Sequence, residues 1–254
     1  MLSKNKISKS IVKYQDYIAY GFLQGDMIME CKNTNVSFPS ASIIKVFLMY
    51  YALKNRGDFS DYLETSNLKL TDDSLLIFFV NQKIPFEASL SLLIDVSDNS
   101  IANYIVDKVG MEKLNLFFWQ EGFKKTKLER KFLDFEAQKK GLENSTCVDD
   151  IFLLLYKVFT GDSLKPAEKY IFDSIMKKQF DRSKCNLYLP ESLQTGGKSG
   201  TLNNVWNDFI YFTHNNKLVI ICFLTHDLPL FLSRELIPSY TYHAVKGILD
   251  DRSL

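Results

Sequence analysis

Two long apolar runs near the C-terminus, Val205 to Thr213 ("VWNDFIYFT") and Lys217 to Thr225 ("KLVIICFLT"), are separated by a turn at Asn215-Asn216. Runs rich in β-branched and aromatic residues on either side of such a turn predict an antiparallel hairpin. A second hairpin is predicted near the other end, where "YIAYGFLQGDMIMEC" turns at Gly25-Asp26. From about Lys45 to Arg182 the apolar spacing is helical instead. Helices are predicted in "ASLSLLIDVS", in "SIANYIVDKVG" with Gly110 as C-cap, and in "MEKLNLFFWQEG". Two more are predicted in "DDIFLLLYKVFTG" and in "KPAEKYIFDSIMKKQ", with Pro166 in the first turn. An amphipathic helix over 3–15, a strand in "LQTGGKSG" and a closing helix starting at Pro238 complete the reading. The fold class is therefore α+β, as one domain over 1–254. An antiparallel sheet flanked by N- and C-terminal helices (about 1–44 and 186–254) carries an inserted all-helical lobe (about 45–185). The groove between the lobes is the expected ligand site.

Composition narrows the function. The net charge of +1 gives no electrostatic case for nucleic acid or an anionic membrane. Lys124, Lys125, Lys127, Arg130 and Lys131 cluster, but Glu129 interrupts them, and they read as a solvated face. No run approaches the ~20 apolar residues of a membrane span. No secretion signal is visible, so a cytoplasmic protein is expected as written, or a secreted or periplasmic one if the N-terminus was trimmed. Cys31, Cys147, Cys185 and Cys222 show no CxxC spacing and are expected as free, mostly buried thiols. No metal or cofactor is implied. His214, His226 and His243 suggest no serine–histidine–aspartate triad, and Asp72-Asp73 and Asp149-Asp150 read as helix-start acids.

The chemistry concentrates in "FPSASIIKVF", Phe38 to Phe47. A serine three residues before a lysine occurs five times in the chain, so the spacing alone means little. Ser42 and Lys45 differ because Ile43, Ile44, Val46 and Phe47 drive that helix into a core. Residues three apart share a helix face. A buried ammonium loses proton affinity and becomes an amine able to take a serine proton. Serine needs such a base, because its unaided hydroxyl is a weak nucleophile.

"SDN", Ser97 to Asn99, lies between two predicted helices, where a hydroxyl and a carboxamide can face a groove. "KSGT", Lys198 to Thr201, lies on a predicted strand. Lys198 offers a cation to a substrate carboxylate, and Ser199 and Thr201 offer hydroxyls. The backbone N–H of Thr201, paired with that of Ser42, makes a plausible oxyanion hole. Gly196-Gly197 is read as letting this strand approach the catalytic helix.

SxxK, SDN and K-T/S-G in this order resemble the class A β-lactamase-like superfamily of penicillin-recognising serine hydrolases. "FPSASIIKV", "SDNSIAN" through Asn103, and "KSGT" match three blocks of that family. Ser97 follows Ser42 by 55 residues, and Lys198 follows Ser97 by 101. The resemblance implies Ser42 as the acylated nucleophile, Lys45 as its proton acceptor and Ser97 as the relay to the leaving nitrogen. Asn99, Lys198, Ser199 and Thr201 would bind substrate, and Asn103 would brace the neighbouring loop. The partner implied is a small-molecule β-lactam, amide or ester.

The pattern breaks in two places. Relatives of this type carry a deacylating glutamate in an ExxxN block after the SDN region. In "TKLERKFLDFEAQKKGLENST" an ungapped count puts that slot on Phe132. Either Glu136, ahead of Asp134, serves as the base, or no base exists and turnover is slow. Or these acids are surface charges on a short helix whose Phe132, Leu133 and Phe135 pack inward. The basic residue usual on the strand after K-T/S-G is also missing, with Asn207 and Asp208 in that area. The expected function is class A-type hydrolysis of β-lactams through an acyl-Ser42 intermediate, with deacylation slow if no such base exists. A peptidase or esterase of the same fold, or a non-catalytic ligand-binding relative, is the alternative.

Overall fold

The computed structural model describes residues 13–250. The helix expected over 3–15 therefore lies almost wholly outside the described residues. The strands are β1 (Ile18–Gln24), β2 (Met27–Lys32), β3 (Phe38–Pro39), β4 (Tyr62–Glu64), β5 (Lys83–Pro85), β6 (Ser145–Thr146), β7 (Gly196–Leu202), β8 (Val205–His214) and β9 (Lys217–Thr225). The α-helices are α1 (Lys45–Lys54), α2 (Phe86–Asp95), α3 (Asn99–Val109), α4 (Met111–Gln120), α5 (Phe135–Lys139), α6 (Val148–Phe159), α7 (Pro166–Met176) and α8 (Leu230–Asp250).

The five-stranded antiparallel sheet runs β2-β1-β9-β8-β7. Both predicted hairpins form. His214 pairs with Lys217 across Asn215 and Asn216, whose φ values of 49° and 58° give the twist such a two-residue turn needs. Alternation along the strands sends side chains to two cores. Ala19, Phe209, Tyr211, Ile220, Cys222 and Leu224 face the helices of the middle of the chain. Ile18, Tyr20, Phe22, Ile210, Phe212, Ile221 and Phe223 face α8. Helix α1 is buried all round except at Lys54, as a helix with no polar face must be.

Three details depart from the sequence reading. Helix α8 begins eight residues before Pro238, which lies inside it and is buried. A proline interrupts the helical bonding there, but burial of Leu236, Ile237, Val245 and Ile248 against the sheet keeps both halves in line. The glycine that admits the Ser42 turn is Gly200. A Cβ there would lie 2.9 Å from Ser42 N, whereas those on Gly196 and Gly197 would strike Tyr211 and the Phe209 carbonyl. In the loop before α5 only Phe132 packs inward, while Leu133 and Phe135 are exposed. No described helix is long and apolar enough to cross a membrane.

Candidate active site

Ser42 sits in a 3₁₀ turn, Ala41–Ile44, that leads directly into α1. In this tighter turn side chains three apart eclipse, so Ser42 and Lys45 lie on one edge. The residue before the serine, Ala41, is held at φ 46°, and Ser97 across the cleft at φ 62°. Non-glycine residues persist there only when the surroundings over-determine them, and they gather at functional sites.

Lys45 is 0% exposed, and its Nζ does not reach for solvent. It donates to the Ser97 carbonyl, lies 3.1 Å from Ser97 Oγ and donates to Asn99 Oδ1 at 2.6 Å. Among the described residues no hydrogen bond joins it to Ser42 Oγ. Burial drives its proton affinity well below that of an ordinary lysine, with the charge of Lys198 adding to the effect and Asp98 and Asp73 opposing it.

Phe132 forms the floor beneath this amine. Its ring centroid lies 4.9 Å from Lys45 Nζ. Asn103 clamps its backbone on both sides, accepting from Phe132 N at 2.9 Å and donating to Phe132 O at 3.1 Å. The loop is fixed further by Arg130, which is buried and forks onto both Glu143 carboxylate oxygens at 2.8 and 3.0 Å. One member of the basic cluster is thus an internal staple rather than part of a solvated face.

The opposite wall is β7, the edge of the sheet. Ser199 N donates outward to Gln179 Oε1 at 2.6 Å rather than into the ladder. Period-two alternation then turns the N–H of Thr201 to the same open edge, beside the Ser42 turn. Lys198 is 1% exposed and donates to the Ser199 carbonyl at 2.8 Å. Burial and the neighbouring Lys184 bring its pKa down to about 8.

A model of the β-lactamase enzyme family matches residues 3–238. The chain belongs to the β-lactamase enzyme family. No curated protein matches it. Among solved structures, a β-lactamase from Sphaerobacter thermophilus is 20% identical with a TM-score of 0.78, over 97% of this chain and 98% of its own. A class A β-lactamase representative from Bacteroides cellulosilyticus is 18% identical with a TM-score of 0.80, over 98% and 99%. A variant of PBP-A, captured as an acyl-enzyme complex with penicillin G, is 20% identical with a TM-score of 0.82, over 97% and 96%. These likenesses carry the fold: the chain has the architecture of the class A β-lactamase-like superfamily.

Within this β-lactamase-family fold, Lys45, Ser97, Asn99, Asn103 and Phe132 are joined by direct contacts. Gly200 brings the Lys198–Thr201 strand against the Ser42 turn. Glu136 is not brought to this group. It is exposed on α5 and pairs with Lys139 at 2.7 Å, and Asp134 is spent capping the same helix at Ala137 N. Phe132, the position on which the ungapped count falls, is the side chain that lies beside Lys45.

Two participants were missed from the sequence. Asp73, read as a helix-start acid, lies in a loop and accepts from Asn99 Nδ2 at 2.6 Å. Lys184 is 0% exposed and donates to Gly200 O at 2.9 Å, Thr201 Oγ1 at 2.8 Å and Asn207 O at 3.0 Å. It puts a buried amine under the K-S-G-T strand, in the region where the strand after it has no basic residue. Burial lowers its proton affinity, opposed by Asp208. Asp208 itself, fully buried and accepting from Cys185 N at 2.9 Å, is pushed up to about 7 by burial. A lysine fourteen positions before Lys198, in a stretch of mixed polarity, carried no signal that could have singled it out.

Proposed function

We propose that this member of the β-lactamase enzyme family is acylated at Ser42 by β-lactams and releases the acyl group slowly. Lys45, held as an amine, takes the Ser42 proton as the hydroxyl oxygen attacks the lactam carbonyl. The oxyanion is met by the N–H groups of Ser42 and Thr201. Ser97 Oγ, 3.1 Å from Lys45 Nζ, passes a proton to the departing nitrogen. Lys198, with Ser199 and Thr201, holds the substrate carboxylate.

The observation that carries slow release is Phe132. An aromatic ring with its backbone pinned by Asn103 lies beside Lys45, where hydrolysis of the ester would need a carboxylate to activate water. Losing such a base costs ~10²–10⁴ in rate. Acylation does not use it. The acyl-enzyme state of the PBP-A variant is consistent with this reading, since that protein has the same fold.

The test is intact-mass kinetics after addition of penicillin, with Ser42→Ala as control. The expected result is a stoichiometric adduct on Ser42 that decays slowly. No adduct on wild type counts against the β-lactam reading, and rapid decay with steady turnover counts against slow release.

A further inference from the structure

The loop Thr71–Ser74 is stapled onto the corner Asp98–Ser100 residue by residue. Thr71 N donates to Ser100 Oγ at 2.7 Å, and Ser74 Oγ donates to Asp98 Oδ2 at 2.6 Å. Between them Asn99 Nδ2 donates to Asp73 Oδ2 at 2.6 Å. Asp73 is itself oriented by Thr71 Oγ1, which donates to Asp73 Oδ1 at 2.7 Å. Asp73 is exposed, yet its carboxylate is tied at both oxygens.

We infer that Asp73 is a positioning residue that fixes which end of the Asn99 amide faces Lys45, and so keeps the Lys45 lone pair free for a hydroxyl. The inference rests on the acyl-Ser42 reading. A primary amide has a donor end and an acceptor end. An ionised carboxylate accepts only, so it can hold only the NH₂ end. The carbonyl end must then point the other way, to Lys45 Nζ at 2.6 Å.

The consequence follows from counting. A neutral amine has two N–H groups and one lone pair. The Ser97 carbonyl and Asn99 Oδ1 are both obligate acceptors, and they take the two N–H groups. The third neighbour, Ser97 Oγ, is a hydroxyl that can donate or accept, so the lone pair stays open to a hydroxyl, that of Ser97 at rest and that of Ser42 in the reaction. If the amide turned over, Asn99 would present N–H to the amine and compete with a hydroxyl for its lone pair. The burial that makes Lys45 a base supplies the amine; Asp73 sets the direction in which that amine is basic.

The experiment compares wild type, Asp73→Ala, Asp73→Asn, Asn99→Ala and the Asp73→Ala/Asn99→Ala double variant as full chains. The rate of Ser42 modification is read with a fluorescent penicillin and, in parallel, with a fluorophosphonate, which needs only an activated serine. Asp73→Ala is expected to slow both by about tenfold, the order of one charge-assisted hydrogen bond at a partly solvated site. Its melting temperature should be unchanged. Asp73→Asn, which keeps a carbonyl acceptor, should stay within about threefold of wild type. In the Asn99→Ala background Asp73→Ala should have no further effect. The inference is overturned if Asp73→Ala matches wild type, if Asp73→Asn is no better than Asp73→Ala, or if Asp73→Ala slows the Asn99→Ala variant equally.

If fluorophosphonate labels wild type and penicillin does not, the β-lactam reading fails and the fluorophosphonate rates alone decide the inference. If neither reagent labels, the side-chain ¹⁵N–¹H signals of Asn99 decide it without any reagent. They should move in Asp73→Ala and hold in Asp73→Asn, and signals unmoved by Asp73→Ala overturn the inference.

Discussion

Replacing Phe132 by glutamate separates the two halves of the proposed reaction. The ring lies beside Lys45 Nζ, and Asn103 holds this residue through its backbone N and O rather than its side chain. A glutamate therefore inherits the same clamped position and points its carboxylate into the space of the ring. Supplying a positioned general base is worth ~10²–10⁴ in deacylation rate, or roughly 3–5 kcal/mol of barrier. The substitution separately costs fold stability: Phe132 is 8% exposed, and deleting a buried phenylalanine costs about 3–5 kcal/mol. Phe132→Gln is the control, matching the glutamate in size without a base. The assay is a penicillin pulse followed by intact-mass decay of the adduct at a temperature where both variants are folded by circular dichroism. Phe132→Glu should clear the adduct at least a hundredfold faster than Phe132→Gln. Equal decay in the two folded variants refutes the claim that the missing carboxylate limits turnover.

Lys45→Met should lower the acylation rate by ~10²–10⁴, measured by fluorescent-penicillin labelling, with Ser42 still present to take an adventitious slow label. The pKa of Lys198 is about 8 in the folded chain against an ordinary 10.5, so the unfolded chain binds more protons between those values and stability rises with pH across that window. The span is worth about 3 kcal/mol, and urea unfolding from pH 7 to 10.5 should show that much less rise in Lys198→Met than in wild type. Arg130→Ala removes the guanidinium partner of the Glu143 carboxylate and should cost about 2–4 kcal/mol by the same unfolding assay.

The hairpins and the major helices could be read from the chain because each carries its own period over ten or so residues, as β8 and β9 do across Asn215-Asn216. Ser42, Lys45, Ser97 and Lys198 could be read because each sits in a short block of fixed spacing. Asp73 and Lys184 could not. Each acts through a partner distant in sequence, Asn99 for one and the Gly200 and Asn207 carbonyls for the other, and nothing local distinguishes them from surface charges. Helix α8 is longer than its sequence suggests for the opposite reason: Pro238 is a strong local breaker, and burial against the sheet overrides it. Glu136 misled because an acid near the right number is visible in the sequence, while the loop path that turns it toward Lys139 is not.

Three lysines lie almost wholly out of water in this cleft, and their partners assign them different work. Lys45 is bounded by two carbonyl oxygens and a hydroxyl, a set that a neutral amine satisfies in full with its lone pair turned to the hydroxyl. Lys184 meets a similar trio, but those partners belong to the strand and its neighbour, so all its capacity goes into holding β7 to β8. Lys198 has one partner among the described residues, the Ser199 carbonyl, and a pKa of about 8 that leaves it mostly charged at neutral pH. An ammonium with two uncommitted N–H groups costs more to bury than one fully bonded. That cost is recovered when an acceptor arrives, and most fully when the acceptor is an anion. Burial alone treats all three lysines alike; the acceptors around each fit them, in the proposed reaction, for different work, Lys45 as the base, Lys184 as a brace and Lys198 as the ligand for a carboxylate.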